Sequence, residues 1–150
     1  MKASQNCLNL IRDFEGLRLK PYKCLAGIPT IGIGTTRYEN GKAVTMGDTS
    51  ITEARAWELL RNRLIGCEAA IKRFVTVPLN QNEFDALISF IYNVGEGNFA
   101  NSTLLRMLNA GDDRNEVSAQ LLRWDKVDAK PVDGLTRRRQ AERSLFLKSC

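Results

Sequence analysis

The chain has 150 residues, 43% hydrophobic and 26% charged, with 22 Lys plus Arg against 17 Asp plus Glu and a formal net charge of +5. This is ordinary globular composition, enough for one compact unit or two small lobes without a disulfide or metal staple, and it excludes a disordered chain. The absence of histidine excludes Ser-His-Asp and Cys-His machinery and removes the commonest zinc ligand, so hydrolysis must run on carboxylates, Thr, Tyr, Cys or an oxygen-held metal.

Ser4 can cap a first helix whose apolar positions Cys7, Leu10, Ile11 and Phe14 follow helical spacing. Gly16 is a left-handed stop, which leaves Glu15 at the C-terminal end of that helix. Residues 17 to 50 then change character, with Pro21, Pro29, threonines and a β-branched piece at Thr30-Ile31-Gly32-Ile33-Gly34. Glu39-Asn40-Gly41-Lys42 supplies a turn between strands, and a small antiparallel β region is expected.

From Thr52 the period becomes helical. Trp57, Leu60, Leu64, Cys67, Ile71 and Phe74 form one narrow stripe. Ser50 with Glu53, or Thr52 alone, can cap the start, and Pro78 prevents continuation. Asn80-Gln81-Asn82-Glu83 is a capping-box pattern opening a helix with the face Phe84, Leu87, Ile88 and Ile91, ended near Gly95 and Gly97. Shorter helices are indicated over 102–109, 113–124 and 136–147. The expected class is α+β. A helix and β lobe over 1–51 leads into a connecting helix over 52–77 and a helical lobe over 78–150, and a cleft between lobes is the default ligand site.

The scattered Cys7, Cys24, Cys67 and Cys150 suit neither a zinc ribbon nor a CxxC redox site, and free thiols are expected. No apolar stretch approaches the ~20 residues of a membrane helix, and the start lacks a signal core. The modest positive charge is interspersed with acidic residues and carries no nucleic-acid recognition motif, so a nucleic-acid partner is not expected. The C-terminal Arg137-Arg138-Arg139 with Arg143 reads either as a solvated face or as a site for an anionic polymer.

Two features carry candidate chemistry. A carboxyl at a helix C-terminus, as at Glu15, faces the negative end of the macrodipole, which favours the proton-bearing form a glycosidase acid needs. Gly32-x-Gly34 is not a dinucleotide fingerprint, because no third glycine or following helix appears. Glycines in a β-type stretch do mark close approach of a backbone or ligand.

Phe14-Glu15-Gly16-Leu17-Arg18-Leu19-Lys20-Pro21-Tyr22, followed by Ala26-Gly27-Ile28-Pro29-Thr30-Ile31-Gly32-Ile33-Gly34, closely resembles the N-terminal signature of tailed-phage lysozymes, glycoside hydrolase family 24. The resemblance continues through 78–81, 84–87, 93–95 and 102–105 to Gly134-Leu135-Thr136-Arg137-Arg138. It implies a two-lobe lysozyme-like fold and hydrolysis of the β-1,4 bond between N-acetylmuramic acid and N-acetylglucosamine in peptidoglycan, lysing the host at the end of infection. No cofactor or metal is implied.

The family's catalytic pattern falls on Glu15, Cys24 and Thr30. Glu15 would protonate the departing oxygen, while Cys24 and Thr30 would position or activate water. Cys24 departs from the commoner Asp. A thiol is mostly neutral at pH 7 unless its neighbours depress its pKa, and Lys20 and Lys23 are the nearest cations in sequence. Substrate contacts carry over to Thr35, Thr36, Tyr92, Ser102 and Arg138. Ser102 is equally an N-cap, and the register leaves Arg137 or Arg139 as alternatives to Arg138. A monomer is expected, accumulating in the host cytoplasm and reaching the periplasmic wall through a separate pore protein (holin). The competing expectation is a catalytically silent peptidoglycan-binding module of the same fold.

Overall fold

The computed structural model describes all 150 residues. It clusters into two units, one of residues 8–66 and the other of residues 1–7 with 67–150. The first seven residues cluster with the C-terminal part, and the long helix is shared between units.

In unit 8–66, α1 (Gln5–Glu15) ends where Gly16 takes a φ of +79°, a conformation that favours glycine, and Gly16 N–H donates to Arg12 O at 2.7 Å. β1 (Arg18–Lys23) and β2 (Pro29–Gly32) follow as a two-stranded antiparallel sheet. Their register pairs Tyr22 with Thr30 and Lys23 with Pro29, and it shifts between Arg18 and Tyr22. Beyond β2 only isolated bridges form, Ile31 with Thr35 and Arg37 with Ala43. The expected turn at 39–42 is present, with Tyr38 N–H donating to Lys42 O at 2.9 Å.

α2 (Glu53–Phe74) starts from Thr52, whose hydroxyl accepts the Arg55 N–H at 3.1 Å. Thr52 therefore supplies the cap. The buried face is broader than the expected stripe, because Ala56, Leu59 and Ala70 are buried beside Leu60, Leu64, Cys67 and Ile71. Trp57 and Phe74, at the ends of that stripe, are only half-buried.

In the other unit, α3 (Gln81–Val94) begins with the expected capping box. Asn80 Oδ1 accepts the Glu83 N–H at 2.8 Å, and Glu83 Oε1 accepts the Asn80 N–H at 2.9 Å, an arrangement that stabilises a helix by about 1 kcal/mol. Everything from Asn82 to Ile91 is buried, so the helix is covered all round rather than on one face. Its buried Asp85 accepts from the Ser4 backbone at 3.0 Å, the Ser4 hydroxyl and Gln81 Nε2. The Ser4 hydroxyl, expected at the helix end, thus also holds the entering chain to α3.

α4 (Glu96–Ala100), which no periodicity indicated, leads into α5 (Thr103–Asn109) and α6 (Arg114–Ala119), the last continued as a 3-10 turn over Gln120–Arg123. β3 (Lys126–Val127) and β4 (Lys130–Pro131) form a small hairpin missed in the sequence, because its turn residues Asp128 and Ala129 take φ of +51° and +66° without a glycine signal. α7 (Asp133–Leu147) packs on α3 and starts three residues before the expected Thr136, whose hydroxyl donates to Asp125 at 2.9 Å.

The basic run on α7 is not the solvated face its composition suggested. Arg137 is exposed, but Arg138 is 3% exposed and Arg139 fully buried, both around the fully buried Glu142. Arg138 Nε donates to Glu142 Oε2 at 3.3 Å, and Arg138 Nη2 to Ser89 O at 3.1 Å. Ser89 Oγ donates to Glu142 Oε2 at 2.6 Å. Arg139 Nη2 donates to the same oxygen at 3.2 Å, while its Nε makes an off-line ion pair with Glu142 Oε1 at 2.7 Å. The Arg139 guanidinium also lies 5.1 Å from the Phe90 ring centroid. Burial pushes the Glu142 carboxyl up, and the two guanidiniums oppose that shift.

Removing one member of such a cluster leaves buried charge uncompensated, at a cost of about 3–5 kcal/mol. Glu142→Gln is therefore expected to lower stability by about that amount, read as a fall in the urea unfolding midpoint without a change in slope.

Candidate active site

Three of the expected site residues, Glu15, Cys24 and Thr30, fall within unit 8–66. Glu15 is the last residue of α1 and half-buried. Cys24 follows β1 directly and opens the turn to β2, with Gly27 N–H donating to Cys24 O at 2.8 Å. Gly27 takes a φ of +77°, which closes this turn without strain. Cys24 N–H donates to Ile28 O at 3.0 Å. Antiparallel pairing puts opposed residues on the same face, so Tyr22 with Thr30, and Cys24 with Ile28, share one face while Lys23 points to the other.

The Cys24 thiol is lowered below its ordinary value. The causes, largest first, are a backbone hydrogen bond from Ile28 and another from Ala26, then an opposing desolvation effect, and after it the hydroxyl of Thr30. Neither Lys20 nor Lys23 is among these causes; Lys23, one residue away on the strand, points to the opposite side. The turn's own N–H groups supply the positive potential instead. The Thr30 hydroxyl donates to Ile28 O at 2.9 Å and lies close enough to the sulfur to lower its pKa. Thr30 is itself 2% exposed, which fixes its rotamer.

Tyr22 was missed in the sequence. Its hydroxyl is raised by burial first, then by the negative charge of Glu15, with Arg18 opposing and Cys24 adding a smaller push. Tyr22 thus lies within electrostatic reach of both Glu15 and Cys24, and the Arg18 guanidinium sits 4.5 Å from its ring centroid. Strand alternation from Cys24 back to Tyr22 was the available signal.

The remaining candidates fall elsewhere. Thr35 is buried and Thr36 exposed, and both line a recess with Arg37, Asn62 and Arg63 that none of Glu15, Cys24 and Thr30 lines. In the other unit, Tyr92 is half-buried in the last turn of α3. Ser102 is the N-cap of α5, accepting the Leu105 N–H at 3.1 Å and donating to Phe99 O at 2.7 Å, and it also lines an open recess with Gln120 and Trp124. Arg138 is anchored to Glu142 and Ser89, and Arg143 Nε donates to Ser118 Oγ at 3.2 Å.

The four cysteines are free. Cys7 is fully buried, its Sγ donates to Asp85 O at 3.4 Å, and burial with the Asp85 charge pushes its thiol up. Burial and the Asp85 charge thus shift the Cys7 thiol in the direction opposite to that of Cys24.

This unit thus holds a helix that ends in a carboxyl, a small β sheet whose turn carries a lowered thiol, and a long helix, and the fold is of the lysozyme class. Residues 12–142 match the family model for phage lysozyme, and the chain belongs to that family. It is 46% identical over 147 residues to the endolysin of Salmonella phage P22, covering 98% of this chain and 99% of that one. It is 41% identical over 133 residues to the SAR-endolysin of bacteriophage PS119, covering 89% of this chain and 76% of that one. Among solved structures it superposes on the endolysin from Escherichia coli O157:H7 phage FAHEc1 with a TM-score of 0.91 and 39% identity, covering 100% and 96% of the two chains. The α+β lysozyme-like fold follows, and the chain is a lysozyme that hydrolyses host peptidoglycan.

A lowered thiol alkylates readily at neutral pH, whereas a buried, raised one does not. Iodoacetamide is expected to modify Cys24 well before Cys7, as located by peptide mass. Thr30→Val should move the pH midpoint of Cys24 alkylation upward, because a donor to the thiolate is lost.

Proposed function

We propose that Glu15, Cys24 and Thr30 perform the muramidase reaction with inversion at the muramic carbon. The proton on the Glu15 carboxyl passes to the departing glycosidic oxygen as the bond to C1 breaks. A water held by Cys24 and Thr30 attacks C1 from the opposite face, and its proton passes to the Cys24 thiolate. The products are a free N-acetylglucosamine hydroxyl, a new hemiacetal, a Glu15 carboxylate and a Cys24 thiol. Exchange with solvent restores both side chains.

The observation that supports this reading is the ring of donors around the Cys24 sulfur, the N–H groups of Ile28 and Ala26 with the Thr30 hydroxyl. It favours the thiolate over the thiol, so a sulfur can stand where an ionised carboxylate would otherwise serve as base. Tyr22, within reach of both Glu15 and Cys24, acts as a positioning residue for the pair. The resemblance extends the proposal to substrate contacts at Thr35, Thr36, Tyr92, Ser102 and Arg138.

The enzyme acts on the cell wall as a monomer, with all three reacting groups drawn from one chain. No helix of the chain is long and apolar enough to cross a membrane. We infer release from the cytoplasm through a separate pore protein; cells making this chain alone should stay intact until the membrane is permeabilised. Lysis without permeabilisation would overturn that route.

Turbidity loss of purified peptidoglycan tests the chemistry. Glu15→Gln should retain wall binding and lose activity by about 10²–10⁴-fold, the usual worth of a positioned acid. Cys24→Ser should lose most activity, and Cys24→Asp should keep it. Wild type that lyses no faster than Glu15→Gln would point to a silent binding module. A β-configured product, or a sugar trapped on the sulfur, would replace the water mechanism with a covalent one. Where the thiolate is the base, the rate rises with pH through the lowered thiol pKa and reaches its plateau below the range of an ordinary cysteine.

A further inference from the structure

The turn of the β1–β2 hairpin carries an uncharged, exposed tip. Leu25 is fully exposed and Ile28 is 49% exposed, and Ala26 and Gly27 between them are exposed as well. A single exposed leucine is ordinary on a protein surface; a run of uncharged residues with two large aliphatic side chains on one turn is not explained that way. Leu19, on the strand leading to the turn, is 39% exposed.

The backbone of this tip is satisfied from within. Gly27 N–H donates to Cys24 O at 2.8 Å and Cys24 N–H to Ile28 O at 3.0 Å, while the N–H groups of Ala26 and Ile28 are bonded to the Cys24 sulfur. Unpaired backbone donors keep most loops out of apolar surroundings, and at Ala26, Gly27 and Ile28 that cost is removed.

Charge of one sign accompanies the tip. From Gly16 to Tyr38 the sequence holds no acid and the cations Arg18, Lys20, Lys23 and Arg37. Lys20 and Lys23 are exposed on β1, and no carboxylate is paired with either. Two acids come near the rest of the hairpin. Glu15 acts on Tyr22, and Asp48 lies on the loop that Ile51 N–H ties to Leu19 O at 2.9 Å, its carboxylate committed to Tyr38 and Thr45. Aliphatic side chains beside unpaired lysines are how a peripheral protein meets an anionic lipid surface: the apolar groups enter the headgroup boundary and the cations stay with the phosphates.

We propose that the tip of the β1–β2 hairpin docks on an anionic bilayer, with Leu25 and Ile28 entering the headgroup boundary and Lys20 and Lys23 held at the phosphates. The contact is peripheral and needs no membrane-spanning segment. Cys24 adjoins the tip, so docking brings its sulfur to the lipid surface.

The test uses the full chain at low ionic strength with vesicles of equal phosphatidylglycerol and phosphatidylethanolamine, against vesicles of phosphatidylcholine alone, read by co-sedimentation. The anionic vesicles should carry the chain down and the zwitterionic ones should not. Lys20→Gln and Lys23→Gln should each weaken binding about fivefold, and Leu25→Ser about tenfold without a change in melting temperature. Lys72→Gln, which removes the same charge from the last turn of α2, should weaken it by less than about twofold. Alkylation of Cys24 by iodoacetamide should slow when anionic vesicles are added, because the negative surface disfavours the thiolate and covers the turn. Equal binding to both vesicle types or to neither, a loss with Lys72→Gln as large as with Lys23→Gln, undiminished binding by Leu25→Ser, or an unchanged alkylation rate would each overturn the proposal. So would a Leu25→Ser chain that sediments as wild type does but lyses purified peptidoglycan more slowly, which would assign the tip to the glycan. The vesicle measurements contain no peptidoglycan, so the catalytic roles proposed above stand or fall separately.

Discussion

The antiparallel register between β1 and β2 is the constraint on which the site depends. Tyr22 opposite Thr30 fixes Cys24 opposite Ile28, and the turn between them aims backbone N–H groups at the sulfur. A slip of one residue would carry the thiol to the far face and bring Lys23 into its place. The hairpin is short, so the register rests on few bonds. Gly27 at a φ of +77° closes the turn that sets them.

In the proposed mechanism the same device would let a cysteine stand where a carboxylate is commoner. An aspartate brings its own negative charge, whereas a thiol must be persuaded to ionise. Backbone dipoles do this without a charged partner, and so without an ion pair that would cancel the negative charge being created. Cys7 is the contrast within one chain. It is enclosed by apolar packing beside a buried carboxylate, and its thiol is pushed up. Two cysteines of one chain are thus shifted in opposite directions by their environments.

The other unit depends on charge handled differently. Glu142 collects two arginines and a serine hydroxyl in a buried cluster between α3 and α7. Such clusters bring little net stability relative to apolar packing, and they demand complete satisfaction of every member. Ser89 and Glu142 were not singled out in the sequence. A lone serine in an apolar helix and a glutamate in a basic one give no local sign that they meet.

Helix limits and caps were legible because they are local. Gly16 after Glu15, Thr52 before α2 and the Asn80–Glu83 box each act within four residues, and each appears in the fold. The collinear motifs from Phe14 to Arg138 likewise identified the family and its chemistry, and the match over 12–142 bears that out. The sources of the thiol's lowered pKa, the burial of Arg138 and Arg139, the nearness of Tyr22 to Glu15 and Cys24 and the unpaired Thr35 hydroxyl were visible only in three dimensions. Those depend on which groups face one another after strands pair and helices pack, and strand register and burial are properties of distant partners that no short window of residues contains.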